Sequence, residues 1–341
     1  MSLQDGPRSG QMAKTRSPSG LGLEMINEFS RTAVATIALM RIKGVGRRAA
    51  LKLVGEGLMT DDDELALLER AARHRIDPEA VKSGWSFAED QLSKSRAANV
   101  LAFAYSDDGY PARLRNIPDP PALLFVKGER GGLYLDNTVA VVGTREPTDY
   151  GERVAARSAA SAVGMGFGIV SGLAHGCDTY AHEGCVAANG IGVAVLAHGL
   201  DKVYPAANKG LAKRLLDLGG CLVSEYPIGM APLRTAFAER DRIQSGLADG
   251  LLVIETDVKG GTMHTVNFSR QQKRPLACIY HPEAWQDEPK VQGNRRMIDD
   301  RWAEPIANGD ALISFLQRLT RRRNANAAPP RNTSAQRTMD F

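Results

Sequence analysis

The chain has 341 residues, 43% of them hydrophobic and 24% charged, with a formal net charge of +4. This is the balance of an ordinary soluble globular protein, long enough for two units or one enlarged one. Its mild basicity permits an anionic partner without requiring one. No apolar run approaches the roughly 20 residues needed to cross a bilayer. The polar stretch from Met1 to Ser19 has no apolar signal core, so a cytoplasmic protein is expected. Cys177, Cys185, Cys221 and Cys278 lack CxxC spacing and sit mostly in or beside apolar, strand-like runs, which reads as buried free thiols rather than disulfides or metal ligands.

In chain order, residues 1–30 are rich in Ser, Gly, Arg and Lys and read as a disordered tail. Residues 31–104 read as a helical N-terminal domain, with runs such as AVATIALMRI and DELALLERAARH. Within it, Ile42-Lys43-Gly44-Val45-Gly46-Arg47 has the shape of a helix-hairpin-helix turn, whose glycines let backbone N–H groups approach a phosphate. A plain packing turn fits the same residues. The proline-dense stretch from Tyr110 to Pro121 forbids helix and suggests an extended approach to a second domain.

From 105 to 317 short apolar runs alternate with helical stretches. VAVVG (139–143), GIVSG (168–172), GVAVLA (192–197), CLVSE (221–225), GLLVIE (250–255) and PLACIY (275–280) are the strands expected. Continuous apolar runs mean strands covered on both faces, hence a mostly parallel, doubly wound, Rossmann-like α/β sheet. Ligands of such a sheet bind at the C-terminal strand ends. Residues 318–341 are Arg-, Asn- and Pro-rich and read as a basic disordered tail.

The first of these strands runs into Gly143-Thr144-Arg145 and then a helix. Gly143 allows a tight turn, Thr144 and the helix N-terminus offer donors to an anion, and Arg145 adds a planar fork suited to phosphate. With no GxGxxG and no acidic residue ending the second strand, a dinucleotide site fits poorly. The second strand ends in Ser171-Gly172, again a small polar residue and a glycine beside the first loop. Asp178 reads as a cap of the next helix. Cys177, Asp178 and His182 have no regular ligand spacing, so neither metal nor cofactor is expected. The densest constellation is Arg234, Phe237, Arg240, Asp241 and Arg242, which supplies phosphate contacts and a base-stacking ring, or else a solvated helix face with Phe237 in the core.

Taken together, VVGTREPTDYG, SGLAHGCD, GLDKVYPAANKGL, SEYP and FAERDRI resemble the DNA-processing protein A family (DprA, also called Smf) in order and spacing. The resemblance runs from about residue 105 to 256. More loosely, Gly260-Gly261-Thr262 and Gly293 to Ile298 look like the family's late glycine-rich loop and GxNxLI segment. The resemblance implies a protein without turnover that binds single-stranded DNA, protects incoming strands and loads the RecA recombinase in natural transformation, usually as a homodimer. Carried over by position, the DNA pocket would comprise Gly143, Thr144, Arg145, Ser171, Gly172, Arg234, Phe237, Arg240 and Arg242, with Asp241 among them. Asp241 stands where the family typically has Asn, His281-Pro282 replaces a usual Pro-Gly, and residues 283–291 look inserted. Two other classes stay open. One is a small-nucleotide sensor on the same fold. The other is a nucleotide phosphoribohydrolase of the LOG type, whose glycine-rich loop Lys259-Gly260-Gly261-Thr262 faintly matches and for which Glu225 would be the acid.

Overall fold

The computed structural model describes residues 29–55 and 64–327. The expected tail before Phe29 and the chain beyond residue 327 lie outside the described residues. Four helices come first: α1 (Arg31–Arg41), α2 (Arg47–Gly55), α3 (Glu64–Arg73) and α4 (Pro78–Ala97). Ser30 starts α1 by accepting the Ala33 N–H at 3.0 Å, and Asp77 with Pro78 starts α4, both favourable helix beginnings. The helical reading to residue 104 overshoots. Asn99 adopts a left-handed φ of 54°, which asparagine tolerates, and the chain then enters strand β1 (Val100–Ala104). A one-turn α5 (Ala112–Arg115) and strand β2 (Leu123–Gly128) follow. Between β1 and β2 the Tyr110 hydroxyl donates to the Pro121 carbonyl at 2.8 Å and ties the proline-rich stretch together.

The rest alternates as expected through β8, with α11, β9 and α12 beyond the elements read from the sequence: β3 (Thr138–Val142), α6 (Asp149–Gly164), β4 (Gly168–Ser171), α7 (Cys177–Ala187), β5 (Gly192–Val195), α8 (Lys209–Asp217), β6 (Cys221–Ser224), α9 (Arg234–Leu247), β7 (Gly250–Val253), α10 (Thr262–Gln271), β8 (Leu276–Ile279), α11 (Gln292–Asp299), β9 (Glu304–Ile306) and α12 (Gly309–Ala327). All nine strands join one sheet in the order β1-β2-β6-β5-β4-β3-β7-β8-β9. From β6 to β9 every pairing is parallel, while β1 and β2 add an antiparallel edge. The fold is thus the doubly wound α/β sheet read from the sequence.

Alternation along β3 divides the core. Val139 and Val141 face α6, α7 and α12, whereas Ala140 and Val142 face α9, α10 and α11. Helices α1 to α4 share a third cluster with the outer end of the sheet, including Leu123, Phe125 and Leu196. The chain from Arg318 does not leave the fold at once. Leu312, Phe315, Leu316 and Leu319, at helical spacing, bury against the sheet, and Arg323 pairs with Asp136 at 2.6 Å. The segment 283–291 forms two 3-10 turns, Glu283–Trp285 and Pro289–Val291.

Candidate functional site

Strand order reverses at β3, which lies between β4 and β7. The loops after β3 and β7 therefore run to opposite faces and leave a crevice at the C-terminal strand ends, where doubly wound sheets take ligands. A cleft of about 760 Å³ opens there. Its walls are the loop 143–145, the outer face of α9 and the loop 256–262 leading into α10.

Gly143 is required where β3 ends, because a Cβ there would meet the Cys177 side chain and come within 3.0 Å of the Glu255 carbonyl oxygen. The turn it permits is not the open anion cradle expected. Thr144 N–H donates to the Glu255 carbonyl at 2.7 Å. The start of α6 is filled as well: the Glu255 carboxylate accepts from Thr148 N–H at 2.8 Å and from the Thr148 hydroxyl at 2.6 Å. A buried resident carboxylate thus takes the place that a cofactor pyrophosphate occupies in dinucleotide-binding relatives of the fold. His281 Nε2 stands 3.2 Å from the same carboxylate, so the unusual His281 belongs to this internal arrangement.

Arg145 escapes the turn and is exposed, its guanidinium 4.9 Å from the centre of the Phe237 ring. Phe237 is half-buried, with the Tyr204 ring centre 6.0 Å away and tilted to it. It is a cleft residue and not a core one. Arg234 and Lys259 are exposed on the cleft walls. Arg240 also lines the cleft but is only 4% exposed, and its Nη1 donates to the Val195 carbonyl at 2.9 Å. Two carboxyls flank it, Asp241 Oδ1 at 3.3 Å from Nε and Asp178 Oδ2 at 4.0 Å from Nη1. Burial pushes the Asp241 carboxyl up to about 7, against the pull of Arg240. Burial also raises Asp178, which lies inside the first turn of α7 and does not cap it. With the Gln244 amide nitrogen turned to Asp241 at 2.9 Å, its oxygen accepts from Gly172 N–H at 2.8 Å.

Three residues expected in the pocket do other work. The Ser171 hydroxyl is fully buried and donates to the Val141 carbonyl at 2.7 Å. Gly172 makes room, since a Cβ there would strike the Arg240 guanidinium. Arg242 points through the opposite side of α9, is 1% exposed, and pairs with Glu225 at 2.6 and 2.8 Å. Arg47 reaches the same Glu225 at 3.2 Å and also pairs with Asp119, whose carboxylate lies 3.4 Å from Arg242 Nε. Two guanidiniums and two carboxylates thus tie α2 and α9 to the β6 end. This draws Arg47 of the glycine turn inward and removes Glu225 from the cleft. Helical geometry carries the missed signal: residues two apart on a helix point about 200° apart, so Arg240 and Arg242 never share a face.

A second cavity of about 760 Å³ is bordered by that network, with Arg47, Asp119 and Glu225 in its lining, and is otherwise mostly apolar, with Ile37, Met40, Phe87, Leu123 and Phe125. It borders the end of β6 and not the switch point at β3 that selects the first cleft. Among the described residues no group of three or more His, Cys, Asp or Glu side chains is placed to hold a metal. All four cysteines are buried and free, with Cys177 raised well above the usual thiol range and His182 lowered to about 4 by burial. No described helix is long and apolar enough to cross a membrane.

Fold and cleft together define a doubly wound α/β protein with a cation-walled, aromatic-bearing crevice at its switch point. The family model described as DNA recombination-mediator protein A matches residues 102–317, and the chain belongs to that family. It is 33% identical over 288 residues to Protein Smf of Synechocystis, covering 82% of this chain and 63% of that protein. It is 32% identical to DNA processing protein DprA of Bacillus subtilis over 217 residues, 62% of this chain and 73% of that one. The chain thus spans somewhat less than two thirds of the Synechocystis relative's length. Among solved structures, DNA processing protein A from Streptococcus pneumoniae superposes with a TM-score of 0.65 at 26% identity, over 83% of this chain and 94% of that one. DNA processing protein A from Helicobacter pylori, described for its single-stranded DNA binding mode, gives a TM-score of 0.57 at 24% identity, over 65% and 96% of the two chains.

Proposed function

We propose that the switch-point cleft binds single-stranded DNA, and that the protein acts by holding strands rather than by turning over a substrate. The observation that carries this reading is Arg145 over Phe237 at the mouth of the cleft. A cation beside an aromatic face suits the phosphate and the base of one nucleotide, and only an unpaired base can reach the ring. Arg234 and Lys259 extend the cationic wall, while the floor of Arg240, Asp241 and Gln244 keeps its shape through internal bonds. Membership of a recombination-mediator family supports the further reading that the bound strand is protected and passed to a RecA-type recombinase by a homodimer.

Glu225, tied to Arg242 and Arg47 outside the cleft, supports no acid role there. The small-nucleotide reading has one feature in its favour: α10 begins in the cleft wall at Thr262, after Gly260 and Gly261, and a helix start suits a terminal phosphate. A gel-shift and melting comparison separates the two. Single-stranded oligo-dT is expected to shift the protein and raise its melting temperature, with duplex of the same length weaker. Stabilisation by mononucleotides without any effect of oligo-dT would replace the DNA reading with the nucleotide one.

A further inference from the structure

The cleft takes its phosphates beside an unusual charge arrangement. One buried guanidinium, Arg240, serves two carboxyls, Asp241 at 3.3 Å and Asp178 at 4.0 Å. Their side chains are only 13% and 9% exposed, so water screens them little. Asp241 faces the cleft from α9, together with Arg234, Arg240 and the Gln244 amide. Opposite and around it stand Asp178 of α7, Arg145 of the first loop, Asp257 and Lys259 of the 256–262 loop, and Thr265 and His264 of α10.

A phosphodiester seated against Arg145 and Arg234 brings one more negative charge to this wall. Either the phosphate sits poorly or one carboxyl loses its charge. We propose that DNA binding in this cleft is coupled to proton uptake on Asp241. The inference rests on the DNA reading given above. Burial already holds this carboxyl at about 7, so the proton is available near neutral pH, and an approaching phosphate raises its affinity further. Once protonated, Asp241 also changes from a pure acceptor to an O–H donor, which a phosphate oxygen accepts. The sign follows from linkage. If the bound form holds the proton more tightly than the free form, affinity increases as pH falls through both values and is constant outside them. Lysine and arginine keep their charge across the same range. Histidine does not. Two exposed histidines stand close by, His264 on the cleft wall and His175 beside Arg145 and Phe237, so each is varied as a control.

The test is anisotropy titration of a dye-labelled oligo-dT without a terminal phosphate, from pH 6.0 to 8.5 at fixed ionic strength, on the wild type, Asp241→Asn, His264→Gln and His175→Gln. Thermal melts at each pH verify that the variants are folded. The wild type is expected to bind about tenfold tighter at the acid end, the change that follows from a shift of one pKa unit on binding. Asp241→Asn should bind at the tight level across the range, and His264→Gln and His175→Gln should each keep the wild-type slope. Calorimetry at pH 7.5 in buffers of different ionisation enthalpy should register proton uptake that disappears in Asp241→Asn. A wild type that binds with no pH slope, or an Asp241→Asn variant that retains it, overturns the coupling while leaving the DNA reading intact. No binding by the wild type at any pH overturns both.

Discussion

Arg240 and Arg242 look equivalent in the string RDR, yet one forms the cleft floor and the other is sealed into an ion cluster on the far side of α9. For Arg242 the partner is Glu225, itself buried. Removing one member of such a pair leaves an uncompensated charge and costs about 3–5 kcal/mol. Arg242→Met should therefore lower stability by about 3 kcal/mol, with Arg47 still near Glu225 limiting the loss, as measured by urea denaturation. Removing both charges in Arg242→Met with Glu225→Leu should recover much of it. Asp241 makes an opposite kind of prediction. Its carboxyl has an ordinary value of 3.8 and is held at about 7 in the folded protein, so folding favours the protonated form. That contribution is complete below about 4 and is lost as pH rises through about 7. Asp241→Asn, which cannot ionise, should gain stability relative to the wild type between pH 5 and 8, and the gap in melting temperature should close by pH 4. A gap independent of pH would mean that the carboxyl titrates normally.

At the scale of elements, the parallel strands were legible because each is a short, uninterrupted apolar run bounded by glycine or polar residues, as in VAVVG and GLLVIE. What was not legible was the edge of the sheet. VLAFA follows a 20-residue helix, and only Ala98 and Asn99, the latter in a left-handed conformation, separate the two. Helix α12 was not legible either, because its arginines masked the apolar stripe ending at Leu319. On α9 the helical period carried a signal that the reading, with Arg242 in the pocket, did not use: Arg234, Phe237, Ala238, Asp241 and Gln244 recur at the three- and four-residue spacing of one helical side, and all line the cleft. The glycine turn before α2 gives a prediction at this scale. Because Arg47 reaches Asp119 and Glu225, Arg47→Ala should loosen the docking of α2, at about 1–2 kcal/mol for lost charge-assisted hydrogen bonds. Oligo-dT affinity should stay within about twofold. A large loss of affinity with unchanged stability would return the turn to the DNA surface.

For the molecule as a whole, a net charge of +4 over 341 residues provides little general attraction for nucleic acid. Binding has to come from where the charges are placed, and the chain places Arg145, Arg234 and Lys259 around one strand-end crevice. The topology decides this: the switch at β3 opens the crevice, Glu255 fills the N-terminus of α6 behind it, and α9 lays its polar face along the gap. The most direct measurement is the salt dependence of oligo-dT affinity for the wild type and Arg145→Ala. Three phosphate contacts on a single strand predict a slope of log K against log salt near −2, at about −0.7 per contact. Arg145→Ala should reduce the slope by about 0.7 and weaken binding at least tenfold, with stability changed by about 0.5 kcal/mol or less. A flat salt dependence, or an Arg145→Ala variant that binds as the wild type does, would contradict the assignment of this cleft as the DNA site.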